Sequence, residues 1–258
     1  MLASVDGRIG PAEEATIPIT DEGLLRGDGA FEVARLYSGR PFALGEHLAR
    51  LRTTCLGLRL DCPLDVFEGE IRDLLSEAGP VEGLLRLVLT RGGRRIAIVE
   101  PLPQRAASAR VATVTYSPSR VLDGLKTLSY AAAMLGGRLA REQDADEALW
   151  VTPHGRVLEG PTWTFFWVRG GILYTPPLSE RILASITRQR LIAEVDVVEA
   201  TCVLSELEGA DEAFIASTVR EVMPIATIDG RPLPAAPGPV TEAAARAYTR
   251  LVERELAA

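Results

Sequence analysis

Residues 120–130, RVLDGLKTLSY, contain Lys126, the only lysine among the 28 lysine and arginine residues of this 258-residue chain. An arginine side chain stays protonated in a protein, whereas burial or a neighbouring charge can make a lysine amine neutral and nucleophilic. A lone lysine is therefore a candidate for Schiff-base chemistry with a carbonyl compound. The alternative is that arginine has replaced lysine throughout the chain and that Lys126 is a chance survivor.

The residues around Lys126 predict a turn followed by a helix. Pro118, Asp123 and Gly124 interrupt regular structure just before it, and apolar residues then recur at helical spacing over 127–140. Lys126 would lie at the N-terminus of this helix, where the positive end of the backbone dipole disfavours an ammonium charge. This position would favour the neutral, nucleophilic amine.

Composition excludes several classes of function. The net charge of -7 provides no basic surface for nucleic acid. No apolar run is long enough to span a membrane and the first residues lack a signal-peptide pattern, so we expect a cytoplasmic protein. The three cysteines form no CxxC pair and there are only two histidines, so neither a disulfide framework nor a metal site is predicted.

The apolar patterns predict an α+β fold with two domains and α/β character in the second half. Residues 1–117 would form a smaller N-terminal α+β domain, and residues 118–258 a larger, strand-rich C-terminal domain that carries Lys126. The first domain is predicted to contain helices at 46–58 and 64–78 and strands at 84–90, 95–100 and 111–115. The second is predicted to contain helices near 187–194 and 241–256, a short one at 205–209, and strands at 194–199, 212–218 and 221–229.

Two segments, KTLSY at 126–130 and VLEGPT at 157–162, resemble the class IV enzymes that depend on pyridoxal 5′-phosphate (PLP). This family includes branched-chain and D-amino-acid aminotransferases and aminodeoxychorismate lyase. The resemblance covers nearly the whole chain, and four separated segments match in order. It implies the two-domain fold of fold type IV PLP enzymes, PLP as the cofactor, and a homodimer with each active site near the interface.

The resemblance also assigns residues to the cofactor. Lys126 would form the Schiff base, and Glu159 would pair with the pyridine nitrogen. Arg50 would bind the phosphate with its guanidinium fork, and Ile186 and Thr187 would bind it at a helix N-terminus. Three further residues match family positions: Thr218 at the phosphate, Leu183 against the ring, and Tyr130 at the phenolic oxygen. Without the resemblance, Glu159 and Arg50 would be interpreted as surface residues and Leu183 as a core residue.

The candidates for substrate binding are Arg26, Phe31, Arg35 and Arg94. Arg26 replaces an aromatic residue of most relatives, and it could bind a substrate carboxylate or be a plain surface charge. The segment 31–35, FEVAR, is closer to the aminotransferases than to the lyases. The loop 91–95, RGGRR, lacks the arginine and histidine carboxylate trap of typical D-amino-acid aminotransferases. Its arginines could still meet a substrate carboxylate, or the loop could be an exposed hairpin tip.

The predicted function is transfer of an amino group between an amino acid and a 2-oxo acid through a Lys126 Schiff base. The first alternative is aminodeoxychorismate lyase, which releases pyruvate and 4-aminobenzoate in the folate pathway; the KTLSY and VLEGPT segments fit both enzymes. The second alternative is a PLP-binding protein without useful turnover. The sequence does not decide which amino donor, or which enantiomer, is the substrate.

Overall fold

A computed structural model of the protein describes residues 1–257, and these divide into two compact units. The first unit contains Met1–Pro103 and Gly124–Tyr130, and the second contains Gln104–Asp123 and the chain from Ala131 onward. The division predicted from the sequence, 1–117 and 118–258, differs at two places. Residues 104–117 belong to the second unit and residues 124–130 to the first, because both segments pair with strands that are distant in sequence.

Six strands form the sheet of the first unit: β1 (Leu2–Val5), β2 (Arg8–Pro11), β3 (Gly29–Tyr37), β4 (Arg40–Pro41), β5 (Gly83–Thr90) and β6 (Arg95–Pro101). All neighbours pair antiparallel, in the order β2-β1-β6-β5-β3-β4. Asp6 and Gly7 join the first hairpin with φ values of 52° and 83°, as a type I′ turn requires. Asp-Gly is a residue pair that favours this turn.

Three helices accompany this sheet: α1 (Glu22–Arg26), α2 (Leu44–Leu58) and α3 (Leu64–Ala78). Leu51 and Cys55 of α2 and Phe67 and Leu74 of α3 are buried in one apolar core with residues of β3, β5 and β6. These side chains recur every three to four residues, which places them on one face of each helix. The prediction for 64–78 is confirmed, and that for 46–58 is correct to within two residues.

The segment that contains Lys126 is extended, so the helix predicted to begin at residue 127 is wrong there. The N–H of Phe31 donates to the carbonyl of Lys126 at 3.1 Å, and the N–H of Leu128 donates to Gly29 at 2.8 Å. The Leu128 side chain packs so closely on Gly29 that a Cβ there would lie 2.5 Å from it. Helix α4 (Ala131–Arg141) begins later, so its dipole does not act on Lys126 as predicted.

Eight strands form the sheet of the second unit: β7 (Ala109–Thr115), β8 (Glu147–Val151), β9 (Thr164–Arg169), β10 (Ile172–Thr175), β11 (Val198–Glu199), β12 (Glu212–Ser217), β13 (Glu221–Ile228) and β14 (Arg231–Pro232). The main order is β11-β10-β9-β12-β13-β7-β8, and β14 pairs with β13. β7, which the sequence assigned to the first domain, lies parallel to β13 and β8. The strand predicted at 194–199 is shorter than expected. Glu194 is the last residue of α5 (Ile186–Glu194), and only Val198–Glu199 form a strand, β11.

Helices α5 and α6 (Pro239–Ala257) pack against each other and against β12 and β13. Their predicted ranges, 187–194 and 241–256, are correct to within two residues. The short helix predicted at 205–209 is a 3-10 helix, Leu204–Gly209. Two sheet-bearing units with flanking helices confirm the predicted α+β architecture. Among the described residues, none of the helices is long and apolar enough to cross a membrane.

Candidate active site

Lys126 lies in the first unit, with its backbone held on both sides. Its N–H donates to the hydroxyl of Thr54, a fully buried residue of α2, at 3.2 Å, and its carbonyl accepts from Phe31 of β3. Helix α2 and strand β3 therefore fix the peptide from which the amine projects. The role of Thr54 could not be predicted from the sequence, because it and Lys126 are 72 positions apart along the chain.

Two adjacent aromatic rings lie beside the Lys126 amine. Nζ lies 4.3 Å from the ring centroid of Phe31 and 5.9 Å from that of Tyr130. The two rings contact each other edge to face at 5.1 Å. The protonated form of the amine, an ammonium, is attracted to the π electrons of a ring face at this distance. The structure thus brings together Lys126 with Phe31 and Tyr130, two residues that the resemblance placed at the cofactor or substrate.

Arg50 of α2 is held by Glu32 of β3. Its Nε and Nη2 donate to the two carboxylate oxygens at 2.6 and 2.7 Å, and Nδ1 of His47 lies 2.8 Å from the second oxygen. Glu32 has no exposed surface and His47 almost none. We call these three residues the Glu32 cluster.

The Glu32 cluster contains one negative and one positive side chain at neutral pH. Burial raises the pKa of Glu32, but hydrogen bonds and charge from Arg50 and His47 outweigh it and bring the pKa to about 2. Burial lowers the pKa of His47, which the Glu32 carboxylate only partly offsets. His47 is therefore neutral, and since an ionised carboxylate only accepts, Nδ1 carries the proton and donates.

The second unit contains the other cofactor candidates. One carboxylate oxygen of Glu159 accepts the backbone N–H of Leu183 at 2.9 Å, so two residues 24 positions apart are adjacent as the resemblance implies. The Glu159 carboxylate is half-buried and also acts on Tyr116. The burial of Tyr116 itself raises the pKa of its phenol, and the charge of Glu159 raises it further. Glu159 is thus oriented by a backbone contact and is not a freely solvated surface residue.

Helix α5 begins where the phosphate contact was predicted. Ser185 is its N-cap and accepts the N–H of Arg188, and Ile186 and Thr187 are the first two helical residues, both buried. Backbone N–H groups of a first helical turn point outward along the axis and favour an anion. Tyr248 of α6 hydrogen-bonds the Thr187 side chain, and burial raises the pKa of Tyr248 to about 12, so the phenol stays protonated.

Thr218, the third predicted phosphate contact, lies half-buried in the turn that joins β12 and β13. The cofactor candidates therefore form two sets, one in each unit. Lys126, Arg50 and Tyr130 belong to the first, and Glu159, Leu183, Ile186, Thr187 and Thr218 belong to the second. In residues 1–257, no three His, Cys, Asp or Glu side chains are arranged to hold a metal ion.

Two of the predicted substrate residues, Arg26 and Arg35, pair with acidic residues of the chain itself. Arg26 is exposed and lies 3.5 Å from Glu22 on the same short helix. Arg35 contacts Glu82 at 3.4 Å and lies over the ring of Tyr37 at 4.9 Å. These pairings supply the ordinary structural explanation for both arginines, and their roles in substrate binding stay predictions.

The arginines of the loop 91–95 each have an acidic partner as well. Arg91 contacts Asp28 at 2.9 Å, Arg94 contacts Asp6 at 2.5 Å, and Arg95 contacts Glu70 at 2.8 Å. Arg91 also donates to two carbonyls at the end of α2. The loop is thus tied to its own unit by three ion pairs, and the substrate role of Arg94 stays a prediction.

Comparison with known proteins decides the family. The model of a family described as "Amino-transferase class IV" matches residues 29–228. This chain is a class IV aminotransferase. It is 34% identical to the "Putative branched-chain-amino-acid aminotransferase" of Methanocaldococcus jannaschii, in an alignment that covers 90% of this chain and 89% of that protein. It is 30% identical to the D-alanine aminotransferase of Bacillus licheniformis, covering 94% of each.

A solved structure shares the fold of this aminotransferase. "A hypothetical aminotransferase from Mycobacterium tuberculosis, PLP-bound form" superposes with a TM-score of 0.88 and 25% identity, covering 99% of this chain and all of that one. The predictions of a fold type IV enzyme, of aminotransferase activity and of PLP as the cofactor are therefore confirmed.

Two buried residues that contact the site candidates, Glu32 and Tyr248, were not predicted from the sequence. Glu32 stands in β3 between the buried Ala30 and Ala34, at a position where the alternation of the strand calls for an apolar residue. An acid at such a position is rarely left buried without a partner, which is a signal that the sequence does contain. Tyr248, by contrast, lies in an ordinary amphipathic pattern and could not have been identified.

Proposed function

We propose that Lys126 is the residue that bonds PLP and that its amine then moves the substrate proton. The observation that carries this proposal is that the only lysine of the chain has its peptide fixed by Thr54 and Phe31 and its amine beside two aromatic rings. No arginine can replace it, because a guanidinium does not deprotonate.

Each unit, taken by itself, contains donor groups of the kinds that PLP needs. In the first unit, the Arg50 guanidinium has the planar fork that suits a phosphate, and Tyr130 would donate to the phenolic oxygen. In the second unit, Ile186 and Thr187 would offer N–H groups and a hydroxyl to the phosphate, Thr218 a second hydroxyl, and Leu183 an apolar contact to the ring. Glu159 would hold a proton at the pyridine nitrogen.

When bound, PLP supplies an aldehyde and an electron-withdrawing ring that accepts the electrons left as Cα loses its proton. The chain supplies the rest. The Lys126 amine would hold PLP through its aldehyde carbon and, when free, would accept the proton that leaves Cα of the amino acid and return it to that aldehyde carbon. Phe31 and Tyr130 would shield one side of that amine, and Glu159 would keep a positive charge at the ring nitrogen.

The substrates we propose are a small amino acid and a 2-oxo acid, with Phe31 and the arginines Arg26, Arg35 and Arg94 as candidates to contact them. One relative is named for branched-chain amino acids and another for D-alanine. Because both relatives are aminotransferases, we favour transamination over the lyase reaction. The cytoplasmic location predicted from the sequence stays a prediction.

We also propose a homodimer. Apolar side chains that a monomer would leave in water support it. Met134 and Leu135 of α4 are 44% and 49% exposed, and Leu24 and Leu25 of α1 are 59% and 63% exposed. Sedimentation should give twice the chain mass, and Leu135→Glu should shift it toward one chain mass. A monomeric wild type would contradict this proposal.

A single-turnover experiment tests the reaction. The PLP-loaded protein is mixed separately with D-alanine, L-leucine and aminodeoxychorismate in the absence of any 2-oxo acid. We expect one equivalent of oxo acid and of pyridoxamine phosphate per site with one of the two amino acids, which also reveals the enantiomer. Continuous release of pyruvate and 4-aminobenzoate would instead establish the lyase.

The same assay tests Lys126. Lys126→Ala should slow the single turnover by about a thousandfold or more, since the base and the covalent attachment are both lost. Arg72→Ala, which removes an exposed cation of α3 in the same unit, is the matched control and should keep the wild-type rate. Substantial turnover in Lys126→Ala would refute the assignment.

A further inference from the structure

The buried carboxylate of Glu32 has no role in the reaction proposed above. Its neighbours on the same face of β3, Ala30, Ala34 and Leu36, are all buried and apolar. A charge at this position costs free energy on transfer from water, and an apolar side chain would avoid that cost. The position therefore calls for an explanation other than core packing.

The geometry of the contact is specific. Nε and Nη2 of Arg50 lie 2.6 and 2.7 Å from separate oxygens of Glu32, which is the two-point pairing of a guanidinium with a carboxylate. Two bonds along one edge fix the plane of the guanidinium and so the direction of its Nη1 edge. A single bond, or a lysine in place of Arg50, would leave that direction free.

His47 completes the arrangement from the same helix. It lies three residues before Arg50, so both side chains project from one face of α2 toward β3. Its Nδ1 donates to the Glu32 oxygen that also accepts from Nη2 of Arg50. The carboxylate is thus held by two side chains of α2 and cannot rotate without breaking several hydrogen bonds.

We infer that Glu32 is a positioning residue that orients Arg50 toward the phosphate of the cofactor. The inference rests on the proposed function, in which Arg50 binds that phosphate. Two effects of Glu32 oppose each other. Its negative charge weakens the attraction of the site for a phosphate, which carries about two negative charges, whereas its two-point contact holds the guanidinium in one orientation. Phosphate binding gains more from the fixed orientation of the Arg50 guanidinium than it loses from the negative charge of Glu32.

The direction in which one substitution changes the affinity for PLP separates the two effects. Glu32→Gln removes the negative charge and one acceptor. If charge dominated, the variant would bind PLP more tightly than the wild type. If orientation dominates, affinity for PLP should fall by about ten- to a hundredfold, the loss typical of a charge-assisted hydrogen bond.

The probe that isolates the phosphate is pyridoxal, which is PLP without it. The apo-protein is titrated with PLP and with pyridoxal, and bound ligand is followed by visible absorbance. In Glu32→Gln the affinity for PLP should fall while that for pyridoxal is kept. Glu100→Gln is the matched control, because Glu100 forms the same fork with Arg86 at 2.5 and 2.9 Å in the same sheet. Its ratio of the two affinities should equal that of the wild type.

A double variant tests whether Glu32 acts through Arg50. Glu32→Gln should weaken PLP binding by much less when Arg50 is already alanine, because the group that Glu32 orients is gone. If Glu32→Gln does not fold, Arg50→Lys supplies the test, since it keeps the positive charge and loses the fork. A PLP-to-pyridoxal affinity ratio in Arg50→Lys equal to that of the wild type would overturn the inference.

The outcomes also distinguish this inference from the proposed function. If the wild type binds neither PLP nor pyridoxal, the proposed function fails. If the wild type binds both but Glu32→Gln binds PLP as well as or better than the wild type, only the inference fails. Equal losses for PLP and pyridoxal in Glu32→Gln would show general damage to the unit and would likewise overturn it.

Discussion

Arg50 and Arg94 are both arginines of the first unit that the sequence assigned to a ligand, and each contacts a carboxylate of its own chain. Arg50 places two nitrogens on the fully buried Glu32, whereas Arg94 places Nη1 at 2.5 Å from Asp6, whose side chain is 23% exposed. Water screens the second pair, and such pairs contribute little to stability. Removing one partner of the first leaves a buried charge uncompensated. The two arginines therefore differ in whether the carboxylate that they contact is buried, and only the buried pair should be costly to break.

The largest expected effect on this comparison comes from Arg50→Ala. The phosphate loses its fork and Glu32 loses its main partner, so affinity for PLP should fall by about a hundredfold. At saturating PLP, the ratio of kcat/KM between two amino donors should stay as in the wild type. Titration with PLP and steady-state assays measure these quantities. Unchanged PLP affinity with an altered donor ratio would move Arg50 to the substrate.

Lowering the pH should reduce the stability that the buried Glu32 carboxylate contributes. The pKa of Glu32 is about 2 in the folded protein and 4.5 ordinarily, so the folded state binds this proton less tightly than the unfolded state. The ionised carboxylate therefore contributes stability that is complete above pH 4.5 and is lost as the pH falls toward 2. The shift corresponds to something on the order of 3 kcal/mol.

Denaturant unfolding at pH 6 and pH 3 measures this contribution. The wild type should lose more free energy of unfolding between the two values than Glu32→Gln, which has no carboxyl to titrate at this position. Parallel losses in the two proteins would show that Glu32 does not contribute in this window.

The smallest effect is expected from Arg94→Ala. Loss of a partly exposed pair should change the free energy of unfolding by about 1 kcal/mol or less, and PLP affinity should not change. If Arg94 also contacts a substrate carboxylate, the KM for a dicarboxylic donor should rise while that for alanine is kept. A large loss of PLP affinity in this variant would erase the difference between the two arginines.

The helices and strands of the first unit were largely predictable because their apolar residues keep one period along each element. Phe67, Ile71 and Leu74 recur at three- and four-residue intervals, and α3 has the predicted bounds. The same reasoning failed at Leu128, which fits the helical period of the residues that follow it. Its N–H is taken by Gly29 and its side chain packs on that glycine, and both contacts join residues about a hundred positions apart. No local pattern could reveal them.

The site shows the same limit. Residue identity and resemblance selected Lys126, Glu159 and the start of α5. Sequence could not show that Thr54 holds the lysine peptide or that β3 supplies the partner of Arg50, because these contacts depend on how α2 lies on the sheet. β7 was likewise recognised as a strand but assigned to the wrong unit, since its neighbours β8 and β13 are chosen by tertiary packing.

Helix α2 has a consequence for how this chain can vary. His47, Arg50 and Thr54 are spaced by three and four residues, so a single helix carries the two groups that bind Glu32 and the hydroxyl that binds the Lys126 peptide. Inserting or deleting one residue between Arg50 and Thr54 would turn one contact away from the other by about 100° around the axis. Substitutions on the outer face of this helix should be tolerated, whereas a change in its length should not. The residue spacing along α2 therefore sets the position of the Lys126 peptide relative to Arg50.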